Sequence, residues 1–240
     1  MTGAPGRRVI AIDGPAGSGK STTAREVAAR LRWPYVDSGS FYRVAALLSL
    51  RHGFDLERAE DRARLRDLLA RARIEQRMVG GNLHIRLDGG DVTHEIRSRA
   101  VTRVVSEVAS DPALRGIVNT GLRALVGDGP AVVDGRDIGT AVFPDAFLKV
   151  YLEASLTERA RRRALEAEGA ERAADPAVVA SYEQSLAGRD YADMERSTAP
   201  LAVAPDAFRL DTTELDTETQ VARVLAMAEP ARLTGLPESG

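Results

Sequence analysis

The sequence predicts an α/β fold in which a parallel β-sheet is flanked by helices. Short apolar segments rich in β-branched residues alternate with longer segments that carry apolar residues at helical spacing. A glycine-rich loop that ends in a lysine joins the first such strand to the first helix. Strands that alternate with helices pair in parallel, because each crossover helix returns the chain to the same end of the sheet. The 240 residues suffice for a sizeable core.

The glycine-rich loop fits the phosphate-binding pattern G-x-x-x-x-G-K-[ST] at every fixed position. Its residues are Gly14, Pro15, Ala16, Gly17, Ser18, Gly19, Lys20 and Ser21, followed by Thr22. A strand at residues 8–13 precedes this P-loop and a helix at 20–32 follows it, which is the context that the pattern requires. The glycines let backbone N–H groups face a phosphate. Lys20 can then reach the outer phosphates of a nucleotide, and Ser21 can bind Mg²⁺.

The remaining elements continue the alternation. We predict further strands at residues 33–36, 131–134, 147–152 and 208–211. Helices are predicted at 41–51, 56–72, 95–110, 112–126, 156–168 and 175–187, and a last helix begins at Thr217 with a capping-box pattern to Gln220. The loops at 14–21, 37–40 and 134–140 all follow strands, so we expect them to converge at the carboxyl edge of the sheet.

Two segments depart from this alternation. Residues 74–92 alternate apolar and polar side chains around two glycine turns, which predicts a small antiparallel sheet inserted in the domain. Residues 188–200 have weak periodicity and many charges, which predicts a mobile lid that excludes water. We interpret residues 8–230 as one P-loop domain with flexible tails at 1–7 and 231–240. Its acceptor-side region covers about 38–110.

The composition excludes several classes of function. The formal net charge is −2, which disfavours a nucleic-acid or membrane partner. The chain has no cysteine and only three scattered histidines, so neither a disulfide nor a transition-metal site is expected. No apolar run reaches transmembrane length.

Arginines are concentrated in segments that we expect near the P-loop. They are Arg136, the cluster at 159–163, and Arg189 with Arg196. A single arginine most often forms a surface ion pair. As a set, these rigid guanidinium groups are suited to phosphoryl transfer, whose transition state spreads charge over the equatorial oxygens. The chain lacks the Asn-Lys-x-Asp stretch by which GTPases read guanine.

The motifs together resemble those of bacterial cytidylate kinases. The resemblance is carried by the opening at 10–22, by Asp37-Ser38-Gly39-Ser40-Phe41-Tyr42-Arg43, by residues 134–146, by 189–201 and by the insertion at 74–92. It covers about residues 8–228. This chain has Ser40 and Phe41 where the family more often has Ala and Met, and its lid carries Tyr191 and Met194.

The resemblance implies transfer of the γ-phosphoryl group of ATP to CMP or dCMP, with Mg²⁺, in a cytoplasmic monomer of pyrimidine metabolism. It implies catalytic roles for Lys20, Arg136, Arg189 and Arg196, and ATP binding by residues 14–22 with Arg159 and Arg162. Ser21 would bind the metal. The implied substrate-binding residues are Ser38, Tyr42, Arg43, Ser106, Arg115, Arg136, Asp137, Arg189 and Asp193. Of these, Ser106, Arg115 and Asp137 would face cytosine.

Two other readings of the sequence remain open. One is another small-molecule kinase on the same fold, such as a uridylate, adenylate or shikimate kinase. Shikimate kinases are shorter and would lack the inserted sheet. The other is a nucleotide-binding regulator that hydrolyses ATP slowly and signals by switch movement. A nucleic-acid-processing ATPase is disfavoured by the charge balance.

Overall fold

A computed structural model describes residues 7–196 and 198–233, the last four by their backbone alone. Two compact units divide the chain: the first contains the residues up to Tyr35 and from Asp128 on, and the second contains Val36–Gly127. In chain order the elements are β1 (Arg7–Asp13), α1 (Lys20–Leu31), β2 (Tyr35–Asp37), α2 (Ser38–Arg51), α3 (Ala59–Arg71), β3 (Ile74–Val79), β4 (Asn82–Leu87), β5 (Gly90–Asp91), α4 (Arg99–Ser110), α5 (Pro112–Val126), β6 (Ala131–Gly135), β7 (Ala146–Glu153), α6 (Leu156–Glu168), α7 (Ala170–Ala173), α8 (Pro176–Met194), β8 (Phe208–Asp211) and α9 (Thr217–Leu233).

The first unit is built on a five-stranded sheet in the order β2-β6-β1-β7-β8. β1 pairs in parallel with β6 and β7, and β7 pairs in parallel with β8, which confirms the predicted sheet. Residues 9–12 of the central strand are fully buried, because β1 has a strand on each side and helices pack over the sheet. The register sets Asp13 beside Gly135, so the P-loop and the loop after β6 leave the sheet side by side.

Helix α1 buries Ala24, Val27 and Ala28 and packs against β6 and α9. The start of α9 is where we predicted it, but the capping box is wrong. Asp216 makes the cap, because its carboxylate accepts a hydrogen bond from the Thr219 N–H at 2.7 Å. Gln220 instead accepts a hydrogen bond from the Thr23 hydroxyl at 2.8 Å. The glutamine therefore fastens α9 to α1.

The second unit holds α2 to α5 and the small sheet. The predicted antiparallel sheet is confirmed, with Gln76 opposite Ile85 and with Leu83, Ile85 and Leu87 buried. Helix α2 begins at Ser38, three residues earlier than predicted, because Asp37 supplies the cap. The helix predicted at 95–110 is wrong at its start: a 3₁₀ turn at Glu95–Arg97 precedes α4, and the Ser98 hydroxyl accepts from the Val101 N–H.

The prediction of a loop from residue 188 is also wrong. Helix α8 continues to Met194, and of the described residues in the predicted lid only 195–196 and 198–200 lie outside regular structure. The buried face of this helix end is formed by Leu186, Asp190 and Asp193, which are spaced four and three residues apart. Because two of the three are carboxylates, the helical period was not visible as apolar periodicity.

The chain ends differ from the predicted tails. Arg7 belongs to β1, and α9 continues through residues 231–233. Residues 1–6 and 234–240 lie outside the described part of the chain. The short helix α7 was not predicted. The assignment of residues 8–230 to one kinase domain stays a prediction.

Candidate active site

The P-loop leaves no room for side chains at its glycines. Gly14 has φ 146° and Gly17 has φ 79°, in the region that side-chain-bearing residues rarely adopt. A Cβ atom on Gly14 would lie 2.0 Å from the Leu152 carbonyl oxygen, and one on Gly17 would lie 2.9 Å from the Arg159 carbonyl oxygen. Both positions therefore require glycine.

We expect Gly14→Ala to lower the free energy of unfolding by about 2–4 kcal/mol, because the methyl group adds a backbone clash to an unfavourable φ. Gly188→Ala is the matched control: Gly188 lies in α8, is exposed, and a Cβ atom added there would have no neighbour within 4 Å. That change should raise stability by roughly 0.5–1 kcal/mol. Urea denaturation measures the free energy of unfolding of both variants. Equal changes would contradict the strained backbone at Gly14.

Lys20 is the first residue of α1 and is almost wholly buried. Its Nζ donates hydrogen bonds to the Pro15 carbonyl at 2.5 Å and to the Ser18 hydroxyl at 3.4 Å. Burial lowers the pKa of Lys20 well below its ordinary value, and the positive charge of Arg136 lowers it further. An anion bound in this loop would favour the charged ammonium form.

Ser21 and Asp134 form a hydroxyl–carboxylate pair beside Lys20. Ser21 Oγ donates to Asp134 Oδ2 at 2.6 Å, and the Tyr35 hydroxyl donates to Asp134 Oδ1 at 2.9 Å. Sequence reasoning assigned Asp134 no role, although its place at the end of a buried strand was a usable signal. Mg²⁺ binds one or two protein oxygens and completes its shell with water and phosphate, so this pair fits the ion. Within the described residues no group of three or more His, Cys, Asp or Glu side chains could hold a metal.

Asp13 fastens the P-loop strand to the loop after β6. Its two carboxylate oxygens accept hydrogen bonds from the backbone N–H groups of Ile138 and Gly139, at 2.8 and 2.7 Å. Burial raises the pKa of Asp13 from 3.8 to about 6, against the effect of the two N–H donors, and the nearby charge of Asp137 adds to the rise. The loop that carries Arg136 and Asp137 is therefore held by a carboxylate.

The raised pKa of Asp13 predicts a pH dependence of stability. The folded state binds the proton more tightly than the unfolded state, so this contribution is complete below about pH 4 and is lost as the pH rises through about 6. Asp13→Asn removes this titrating group, so only the parent loses stability as the pH rises. The free energy of unfolding of the variant minus that of the parent should therefore increase by up to about 3 kcal/mol between pH 4 and 7. Urea denaturation across this range measures the difference. The control is Asp145→Asn, at an exposed site; a flat difference for Asp13→Asn would contradict the prediction.

Arg159 and Arg162 lie against the P-loop from α6. Arg159 Nη1 donates to the Ala16 carbonyl at 3.2 Å and to Asp190 Oδ2 at 2.5 Å. Arg162 Nη1 donates to the Thr212 hydroxyl at 3.0 Å, and that hydroxyl donates to the Ser18 carbonyl at 3.0 Å. Sequence reasoning missed Asp190, the residue through which Arg159 ties the P-loop to α8.

Two of the expected arginines, Arg136 and Arg196, meet on the carboxylate of Asp193 in the first unit. Arg136 Nε donates to Asp193 Oδ2 at 3.0 Å, and Arg196 Nη1 lies 3.6 Å from Asp193 Oδ1. The charge of Arg189, on α8, acts on Lys20 in the same direction as that of Arg136. Asp137 is buried directly after Arg136, and Thr22 is exposed on α1. The structure thus brings Lys20, Arg136 and the end of α8 into one neighbourhood.

In the second unit, Tyr42 and Arg115 pack together. The Arg115 guanidinium carbon lies 5.3 Å from the centroid of the Tyr42 ring, and Arg115 Nη1 donates to the Ala109 carbonyl at 3.0 Å. Arg43 Nη1 donates to the Ile96 carbonyl and to the Thr102 hydroxyl. Ser38 is buried as the first residue of α2, whereas Ser106 is exposed on α4.

A family model described as Cytidylate kinase matches residues 10–230. The chain belongs to the cytidylate kinase family. The cytidylate kinase of Geobacillus kaustophilus (strain HTA426) is 43% identical over 222 residues, which cover 91% of this chain and 96% of the relative. That of Symbiobacterium thermophilum (strain DSM 24528 / JCM 14929 / IAM 14863 / T) is 44% identical over 228 residues, covering 94% and 97%. The chain is accordingly a nucleoside monophosphate kinase, and its family reaction is phosphoryl transfer to CMP.

Among solved structures, a gluconokinase from Sinorhizobium meliloti 1021 is 14% identical with a TM-score of 0.45, covering 96% of this chain and 97% of that one. This likeness is too slight to add to the sequence match. Within the described residues, no helix is both long enough and apolar enough to cross a membrane.

Proposed function

We propose that the protein transfers the γ-phosphoryl group of ATP to CMP and dCMP in a Mg²⁺-dependent reaction that yields ADP with CDP or dCDP. The observation that carries the donor side of this proposal is the buried Lys20 amine beside the Ser21–Asp134 pair at the start of α1. Family membership supports CMP as the acceptor. We propose the cytoplasm as its location and the monomer as its working form.

On the donor side, the backbone N–H groups of residues 14–22 surround the phosphates of ATP, and the start of α1 adds positive potential. Lys20 turns from the Pro15 carbonyl to the outer phosphates. Ser21 and Asp134 would hold Mg²⁺, and the ion would supply positive charge to the phosphate oxygens. Arg159 and Arg162 keep the loop in shape through the Ala16 and Ser18 carbonyls.

For the transferring group, Arg136, Arg189 and Arg196 supply positive charge. Asp193 holds the guanidinium groups of Arg136 and Arg196 in place before the reaction, which reduces the reorganisation needed at the transition state. No general base is required, since the attacking atom is already an oxygen of a phosphate group. The chemical task of the chain is therefore positioning and charge stabilisation.

For the acceptor, we propose Arg43 for the CMP phosphate, Ser38 and Tyr42 for the acceptor site, and Arg189 with Asp193 for the ribose. Ser106, Arg115 and Asp137 are proposed to read the base. Arg115 donates only, so it suits the N3 and O2 acceptors of cytosine. The burial of Arg115 against the Tyr42 ring supports this role, because a guanidinium held by its surroundings discriminates better than a mobile one.

The experiment that tests the proposed function is a coupled assay of ADP release with ATP and Mg²⁺. The acceptors are CMP, dCMP, UMP, AMP, GMP and shikimate, each tested separately. We expect CMP and dCMP to give the highest kcat/KM. Faster turnover with UMP, AMP or shikimate would overturn the choice of acceptor, and no acceptor-dependent ADP release would overturn the kinase reaction itself.

A further inference from the structure

Within the second unit, the side chain of Gln76 links the small sheet to the start of α2. Gln76 lies on β3 and is half-buried against the turn that opens the helix. Its Oε1 accepts from the Asp37 N–H at 2.9 Å, while its Nε2 donates to the Asp37 carbonyl at 2.9 Å and to the Ser40 hydroxyl at 2.7 Å. Both the oxygen and the nitrogen of the Gln76 amide therefore bind residues that are distant in the sequence: Asp37 is 39 positions away and Ser40 is 36.

Ser40 and Asp37 complete this polar cluster from the helix side. Ser40 is fully buried, and its hydroxyl donates to the Asp37 carbonyl at 2.8 Å while it accepts from Gln76. The Asp37 carboxylate in turn accepts from the Ser40 N–H at 3.3 Å. Ser40 thus places a hydroxyl at the point where the Gln76 amide can bind one.

We propose that Gln76 is a positioning residue for the nucleotide acceptor, with Ser40 as its matched partner in this chain. Gln76 fixes the first turn of α2, which carries Ser38 and leads directly into the turn that carries Tyr42 and Arg43. The inference rests on the proposed acceptor-side roles of these three residues. In this proposal the small sheet holds α2, the helix that carries these three residues, in position.

Removing the Gln76 amide should weaken acceptor binding because three hydrogen bonds at one turn are lost. Without the Gln76 amide, the N–H and carbonyl groups of Asp37 lose their partners on β3, and the buried Ser40 hydroxyl loses a donor. Buried polar groups that lose their partners are costly, whereas removing both members of a pair is less so. The first turn of α2 then samples other positions, which weakens acceptor binding without touching the P-loop.

The test compares Gln76→Leu, Ser40→Ala and the double variant. Steady-state kinetics give kcat and separate KM values for CMP and ATP, and calorimetry gives the Kd of CMP without ATP. We expect Gln76→Leu to raise the KM and Kd for CMP about tenfold, with the KM for ATP nearly unchanged. The double variant should bind CMP better than the product of the two single effects predicts. Gln76→Glu keeps the acceptor for the Asp37 N–H but sets a carboxylate oxygen against the Asp37 carbonyl, so it should raise the KM and Kd for CMP at least as much as Gln76→Leu.

Arg77→Leu is the matched control, since Arg77 is the next residue on β3 and its side chain is 70% exposed. It should leave both KM values unchanged. The inference is overturned if Gln76→Leu and Gln76→Glu bind CMP as the parent does, if the two single effects simply multiply, or if the KM for ATP rises equally. A parent enzyme that does not turn over CMP would refute the proposed function instead, so the two failures are distinguishable.

Discussion

Replacing Lys20 with Met is expected to lower kcat at least about a hundredfold, since comparable fixed charges contribute about 3 kcal/mol to transition-state stabilisation. Methionine keeps the buried stem but removes the ammonium group that donates to Pro15 and Ser18 in the structure. Burial disfavours the charged form of the Lys20 amine when no anion is bound, so the pKa of Lys20 is lowered. We therefore expect the methionine variant to be no less stable than the parent. Initial rates with saturating ATP and CMP measure the loss, and thermal unfolding checks the fold.

The control for this change is Arg30→Met, which removes a positive charge from the exposed face of the same helix. Arg30 pairs with Glu218, and both side chains are largely exposed. Its loss should change kcat less than twofold, as expected for a surface ion pair. If Lys20→Met retained near-normal turnover, or if both variants lost activity equally, the P-loop lysine would have no special part in the reaction.

Replacing Asp137 with Ala is expected to remove most of the preference for CMP over UMP. Cytosine presents an amino donor at N4, whereas uracil presents an acceptor at O4. A carboxylate accepts only, so Asp137 suits cytosine and opposes uracil. We expect the parent to favour CMP in kcat/KM by at least about 100-fold, because uracil would leave a buried carboxylate facing an acceptor. In Asp137→Ala, CMP activity should fall sharply and the ratio should drop to about tenfold.

Asp137→Asn is the informative companion variant. The asparagine amide can donate to uracil O4, so UMP activity should rise relative to Asp137→Ala. The alternative is that Asp137 only pairs with its neighbour Arg136 and so holds the loop. In that case Asp137→Ala would slow CMP and UMP equally, and the unchanged ratio would rule out Asp137 as a base-reading residue.

The sheet and the P-loop were predictable because their signals are local. Val9 to Ile12 form an apolar run that ends two residues before Gly14, and the structure buries that run at the centre of the sheet. The small sheet was predictable for the same reason, since its alternation and its turns lie within about twenty residues.

The features that were missed depend on polar contacts between residues distant in the sequence. The last turns of α8 were predicted as loop because Asp190 and Asp193 fill buried positions that apolar residues usually occupy. The pairing of Ser21 with Asp134 spans 113 residues, and that of Arg159 with Asp190 spans 31. Such pairs leave no periodic pattern, because a single carboxylate in a sequence has many possible partners.

The central claim is that one site passes the terminal phosphoryl group of ATP directly to CMP. The most direct test follows the label from ATP that is radioactive in its γ-phosphate, mixed with Mg²⁺, excess enzyme and CMP, and quenched within a single turnover. We predict that the label appears in CDP as fast as it leaves ATP, and that omitting CMP leaves it in ATP. Label released as inorganic phosphate at the same rate with and without CMP would contradict the account and would indicate a nucleotide hydrolase instead.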